Sequence, residues 1–163
     1  MALEELSSVQ AAAFAPAGEG ARVFYEGVSV GMEIPDLARR PNRRQLVQWS
    51  GASENFAPIH FDDDLARRGG LPAVNIHGRL KAAFLAEMLT RWAGSFIALK
   101  KLAVSYRKMD FPDAVMTCKA RVSGKRIENG QGVVDLDIRI ENEAGESTTL
   151  GTAVLHLPFR AGA

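Results

Sequence analysis

The segment SENFAPIHFDDD, Ser53 to Asp64, gathers side chains able to do chemistry in a chain that holds only three histidines. His60 stands two residues after Pro58 and five after Asn55. An imidazole in such a place serves as a general base, a metal ligand or a buried packing residue, because its charge changes near neutral pH and either nitrogen can bind. Asp62, Asp63 and Asp64 follow it directly. No second histidine or cysteine stands at ligand spacing, and acids ahead of LARR are what helix capping asks for, so no metal is expected. Glu54 has two readings, a displaced general base and a solvated turn carboxylate. The second is favoured, because a one-residue shift along a helix or turn swings a side chain by about 100°. His77 precedes Gly78 at the head of a helical pattern, whereas His156 alternates with apolar residues and reads as structural. No serine, cysteine or aspartate sits in a nucleophile elbow, which argues against a covalent hydrolase.

These residues need a frame, and periodicity supplies it. Residues 1–20, ending in APAGEG, read as an N-terminal arm with a short helix over Leu3–Phe14, ahead of a single domain at 21–160. A first strand is expected at Arg22–Tyr25, then the turn EGVSVGM and an extended stretch from Ile34 to Arg40 that stops at Pro41. Asn42 caps a helix whose third residue is Gln45, running through RRQLVQWSGA. Asp62–Asp64 cap a second, short helix closed by Gly69 and Gly70. The strongest helix is Gly78–Trp92, where Leu80, Phe84, Leu85, Met88, Leu89 and Trp92 recur at three- and four-residue spacing. Ala82, Ala83 and Ala86 keep its adjoining surface thin, and Glu87 with Arg91 forms an i,i+4 pair. After Gly94 the period becomes two. Leu102 to Tyr106, Met116 to Val122, Val134 to Ile140 and the segment TTLGTAVLHLPF read as four consecutive antiparallel strands, joined in part by the hairpin-like turns ENGQG and ENEAGE. That order makes the fold class α+β, a long helix packed on an antiparallel sheet.

Composition narrows the functional classes. Hydrophobic residues are 47% of the 163 and charged residues 24%, an ordinary soluble globular balance. The formal net charge is +1, a weak case for a nucleic-acid partner. No apolar run approaches the roughly 20 residues needed to span a bilayer. The opening MALEELSSVQAAAF carries acids where a secretory signal carries bases, and the single Cys118 has no partner for an internal disulfide. The expectation is a cytoplasmic protein with no membrane partner, acting on a small molecule or another protein.

FAPIHFD, followed by HGRLKAAFLAEML from His77, resembles the MaoC-like hydratases and dehydratases of the hot-dog fold, which act on acyl thioesters. Their motif has the form S-G-D-x-N-P-[IL]-H-x-D, with H-G later at the start of the central helix. The matching residues here are Ser53, Pro58, Ile59, His60 and Asp62, then His77 and Gly78. The likeness covers roughly Arg22 to Pro158 and includes the RRQLVQWSGAS lead-in and the WAG at Trp92–Gly94. It departs at the chemistry: Asn55 stands where the motif has aspartate, Glu54 where it has glycine, and Ala57 where it has asparagine. A second branch, similar to the mitochondrial-type and mesaconyl-CoA-type dehydratases, has N-x-H-x-I-H. This chain shares its Asn55-to-His60 spacing but has Ala57 in place of its extra histidine.

The resemblance implies reversible hydration of a 2-enoyl thioester carried by coenzyme A or an acyl carrier protein, with no metal or redox cofactor. His60 would carry the proton, Asn55 would position water or substrate, and the Gly78 N–H would polarise the thioester carbonyl. The first N–H groups of a helix lack intrahelical acceptors and sit at its positive end, so a Cβ at residue 78 would obstruct the carbonyl's approach. Ser53, Glu54, Pro58, Ile59, Asp62 and His77 would line the substrate site, while Ala82, Ala83 and Ala86 would make room for the acyl chain. The resemblance also implies a homodimer, or a heterodimer with a homologous subunit. Two rivals stand beside this reading: a non-catalytic MaoC-like subunit, favoured by Asn55, and a thioesterase on the same fold, for which Glu54 is the obvious carboxylate.

Overall fold

The computed structural model describes residues 23–94 and 98–160. The expected arm at 1–20 and Arg22 lie outside the described residues. Among the described residues, five strands form one antiparallel sheet: β1 (Leu37–Arg39), β2 (Ala98–Tyr106), β3 (Met116–Glu128), β4 (Gln131–Glu141) and β5 (Ser147–Leu157). The α-helices of the described residues are α1 (Arg43–Ser53), α2 (Asp63–Arg68) and α3 (Gly78–Ala93). The sheet order is β1-β3-β4-β5-β2, so β2 sits at an edge beside β5 rather than next to β3, its neighbour in the chain.

Alternation decides which side of each strand meets the helix. Met116, Cys118, Ala120 and Val122 of β3, Val134 to Ile140 at every second position of β4, and Ala153, Leu155 and Leu157 of β5 are all buried. They share one core with Leu80, Phe84, Leu85, Met88 and Leu89 of α3, while Trp92 packs partly covered at its margin. Burying a side chain of this size contributes about 1.5–3 kcal/mol. The cap signals fall where expected: the Asn42 side chain accepts from the Gln45 N–H, and Asp62 accepts from that of Leu65. Asn129 (φ 50°) and Gly130 (φ 73°) turn β3 into β4 with two left-handed residues, the conformation a two-residue hairpin requires.

The first expected strand is a correction. Tyr25–Gly27 is a single 3₁₀ turn, and only the Tyr25 N–H reaches back, to the Pro158 carbonyl. The apolar run there covers one end of the sheet instead of extending it, with the Tyr25 ring against Gly132.

Candidate active site

Helix α1 ends at Ser53, whose hydroxyl donates to the Trp49 carbonyl at 2.6 Å. Glu54 then takes a left-handed conformation (φ 54°, ψ 24°) and its N–H closes on the Ser50 carbonyl. Left-handed backbone at a helix C-terminus favours glycine, because a Cβ crowds the neighbouring carbonyl. Glu54→Gly is therefore expected to stabilise the fold by roughly 1 kcal/mol, read as a higher urea midpoint at unchanged slope. A lower midpoint would show that the Glu54 side chain does more than tolerate the turn.

Beyond that turn the Asn55 Oδ1 accepts a long bond, 3.4 Å, from the Ala57 N–H. Pro58 opens a second 3₁₀ turn, Pro58–His60, which presents the imidazole. The His60 Nδ1 lies 2.9 Å from the Asn75 carbonyl. A carbonyl only accepts, so Nδ1 carries the proton and Nε2 of the neutral ring keeps its lone pair. The Asn75 N–H returns to the Ile59 carbonyl at 3.1 Å, making this a two-way clasp between the turn and the lead-in to α3.

His60 stacks on His77, ring centroids 3.7 Å apart and planes 22° from parallel. His77 is 1% exposed, and its Nε2 shares a 3.1 Å hydrogen bond with the buried Ser50 hydroxyl. Its Nδ1 has no partner of good geometry, although the Asn55 backbone lies near enough to favour the charged ring. Burial, then the charge of His60, outweigh that and push the His77 pKa below its ordinary value.

The N–H groups of Leu80 and Lys81 both turn back to the His77 carbonyl, while those of Gly78 and Arg79 come too early in α3 for an intrahelical acceptor. A Cβ on Gly78 would come within 2.9 to 3.1 Å of three atoms of the Tyr106 ring. A side chain at 78 would thus first meet the Tyr106 ring, which must move to admit it. Burial raises the Tyr106 pKa, partly offset by Arg79.

A family model described as a MaoC like domain matches residues 27–156. The chain belongs to the MaoC-like domain family. Its structure is similar to an (R)-hydratase from A. caviae involved in PHA biosynthesis (22% identity, TM-score 0.75, covering 82% of this chain and 99% of that one). It is also similar to an R-hydratase from Pseudomonas aeruginosa in the unliganded form (18%, TM-score 0.78, 85% and 88%). A third likeness is to the ChsH1–ChsH2 complex from Mycobacterium tuberculosis (18%, TM-score 0.71, 80% and 98%). No curated protein matches the chain in sequence. The fold is the hot-dog fold of these structures, a long helix laid on an antiparallel sheet.

Of the MaoC-like motif positions, His60, His77 and Gly78 converge, with Pro58 and Ile59 building the turn that holds His60. Ser53 and Asp62 have local jobs, as a helix back-bond and an N-cap, and Asp63 pairs with Arg43 at 2.6 Å. Glu54 is exposed. Ala82, Ala83 and Ala86 are half-buried, and the last two share a helical stripe with exposed Arg79 and Thr90. Ser50, Asn75 and Tyr106 were not expected from the sequence. Ser50 had a visible signal, one turn after Leu46 on the buried side of α1, as had Asn75, a lone amide in the apolar run AVNI.

The depressed His77 pKa makes stability depend on pH. Below about 6.5 the unfolded chain takes up a proton that folded His77 resists, so stability falls with pH until the depressed folded value is passed. His77→Gln should therefore lose less Tm than the parent between about pH 7 and about pH 5. Parallel Tm curves for the two proteins would show that His77 titrates in the fold as it does in the open chain.

Proposed function

We propose that this MaoC-like protein is an enzyme that reversibly hydrates a 2-enoyl thioester, carried by coenzyme A or an acyl carrier protein. The observation that carries the reading is the His60 clasp: its Nδ1–H is committed to the Asn75 carbonyl, leaving Nε2 free beside the open end of α3. In hydration, Nε2 takes a proton from water as the oxygen adds to C3, and the protonated ring returns a proton to C2. Negative charge that develops on the thioester oxygen meets the Gly78 and Arg79 N–H groups, pre-aligned at the positive end of a four-turn helix. Asn55 holds water or substrate through its amide, which cannot accept the proton itself. No residue here calls for a metal or redox group.

The named hydratases of the same fold support this reading, and the ChsH1–ChsH2 complex lends weight to a second. Asn55 in the aspartate position, with its oxygen turned toward the Ala57 N–H, favours a subunit that completes or supports a homologous catalytic partner. In either case the chain works as a homodimer or heterodimer, and β2, paired only with β5, leaves a sheet edge for association. Incubation with crotonyl-CoA and longer enoyl-CoAs, following loss of the conjugated thioester and release of free thiol, separates the readings. Hydration by the chain alone supports the enzyme. Activity that emerges only with Asn55→Asp or with a homologous partner supports the second reading, and thiol release without hydration overturns both in favour of a thioesterase.

A further inference from the structure

We infer that Lys81 and Asp110 are a positioning pair for the donor end of α3, a role whose kinetic consequence rests on the hydratase reading above. Lys81 is 2% exposed and Asp110 5%. The Lys81 Nζ donates to the Asp110 Oδ2 at 2.6 Å and to the Lys108 carbonyl at 3.1 Å. It also lies 5.7 Å from the centroid of the Tyr106 ring, the ring that rests on Gly78.

Asp110 grips the chain on both sides of His77 and Gly78. Its backbone carbonyl accepts from the Ile76 N–H at 2.8 Å, just before His77, while its carboxylate takes Lys81 one turn into the helix. The Lys81 N–H in turn returns to the His77 carbonyl at 3.2 Å. The segment carrying Asp110 is itself anchored, because the Arg107 and Lys108 N–H groups both bond the Thr148 carbonyl at the start of β5. The first turn of α3 is thereby referenced to the sheet through Lys81 and Asp110.

Stability alone does not account for this arrangement. Burying two charges costs most of what their attraction returns, and well-packed apolar side chains would do as well. A salt bridge fixes direction and distance, which apolar packing leaves looser. Donors aimed at a developing charge need placement within about 0.5 Å, and a shift of about 1 Å costs on the order of 100-fold in rate. Neither group touches the reacting atoms, so the pair positions and does not catalyse.

The test is the double variant Lys81→Met/Asp110→Leu in the full chain, with three readouts: Tm, exchange of the hydrogen-bonded amides of residues 76, 80 and 81, and kcat and KM on crotonyl-CoA. The expected result is a Tm near the parent's, faster exchange at those three amides but not in β4, and kcat lowered about 10-fold or more with a smaller change in KM. If the double variant does not fold, Lys81→Gln/Asp110→Asn, which removes both charges together, takes its place. Unchanged exchange at the three amides overturns the inference, as does unchanged kcat. So does a uniform acceleration across β4 with kcat falling in step with Tm, the signature of a purely structural pair. Should the parent itself show no hydration, the hydratase reading fails, and the exchange pattern alone decides whether the pair holds the helix start.

Discussion

Replacing His60 with alanine is expected to lower enoyl-thioester hydration by roughly 100-fold or more, the scale of losing a general acid–base group. The expectation rests on geometry. The Nδ1–H is fixed on the Asn75 carbonyl, the ring is flanked by His77, and only Nε2 is left for chemistry. His77 is poorly suited to stand in, since burial depresses its pKa and one nitrogen is already shared with Ser50. Asn55 offers an amide, which neither takes nor gives a proton at neutral pH. About 2.7 kcal/mol of transition-state stabilisation is at stake for each 100-fold. Some rate should survive, because the helix-end donors and substrate binding are untouched. The measurement is initial-rate hydration of crotonyl-CoA by parent and variant, with Tm showing that the variant is folded. A folded His60→Ala protein within a few-fold of the parent would remove His60 from the mechanism and leave the clasp as a structural feature.

What could be read before the structure was known follows a physical line. Features set by local backbone rules were legible. Leu80, Phe84, Leu85, Met88 and Leu89 betray α3 because a helix repeats every 3.6 residues, and Asn42 and Asp62 cap because their short side chains reach an N–H three residues on. Asn129 and Gly130 announce a hairpin because few other residues accept two left-handed conformations in a row. Features set by distant contacts were not legible. Val23 to Tyr25 carries a strand-like composition, yet the Tyr25 N–H bonds the Pro158 carbonyl, far along the chain, and the Tyr25 ring packs on Gly132 and Phe159. Crowding at Gly78 comes from Tyr106, and the tautomer of His60 from a backbone oxygen that has no side-chain signature. The family resemblance pointed to His60, His77 and Gly78, and the stacking of His60 on His77, the Ser50 hydrogen bond and the Asn75 clasp belong to this chain's own packing.

Lys81 is the sharpest case, since a lysine in a helical pattern reads as solvent-facing and this one is almost wholly buried. Its partner lies 29 residues away, past the whole of β2. The energetic consequence is large. Lys81→Met alone should destabilise the protein by about 3–5 kcal/mol, because the Asp110 carboxylate would stay buried without its counter-charge and the Lys108 carbonyl would lose a donor. Asp110→Leu alone should cost a similar amount for the mirror reason, with the Lys81 ammonium stranded. Removing both should cost far less than the sum, as no uncompensated charge remains, so the double-mutant cycle should return a coupling of several kcal/mol. The loss from either single change is a substantial share of a typical domain's margin of about 5–15 kcal/mol, so urea unfolding should resolve the difference easily. Additive losses would mean that each side chain is held by its other contacts and that the pair is incidental. A strong coupling with a stable double variant would mean that the ion pair supplies no net stability, which is the condition under which its placement at the head of α3 calls for an explanation in the site.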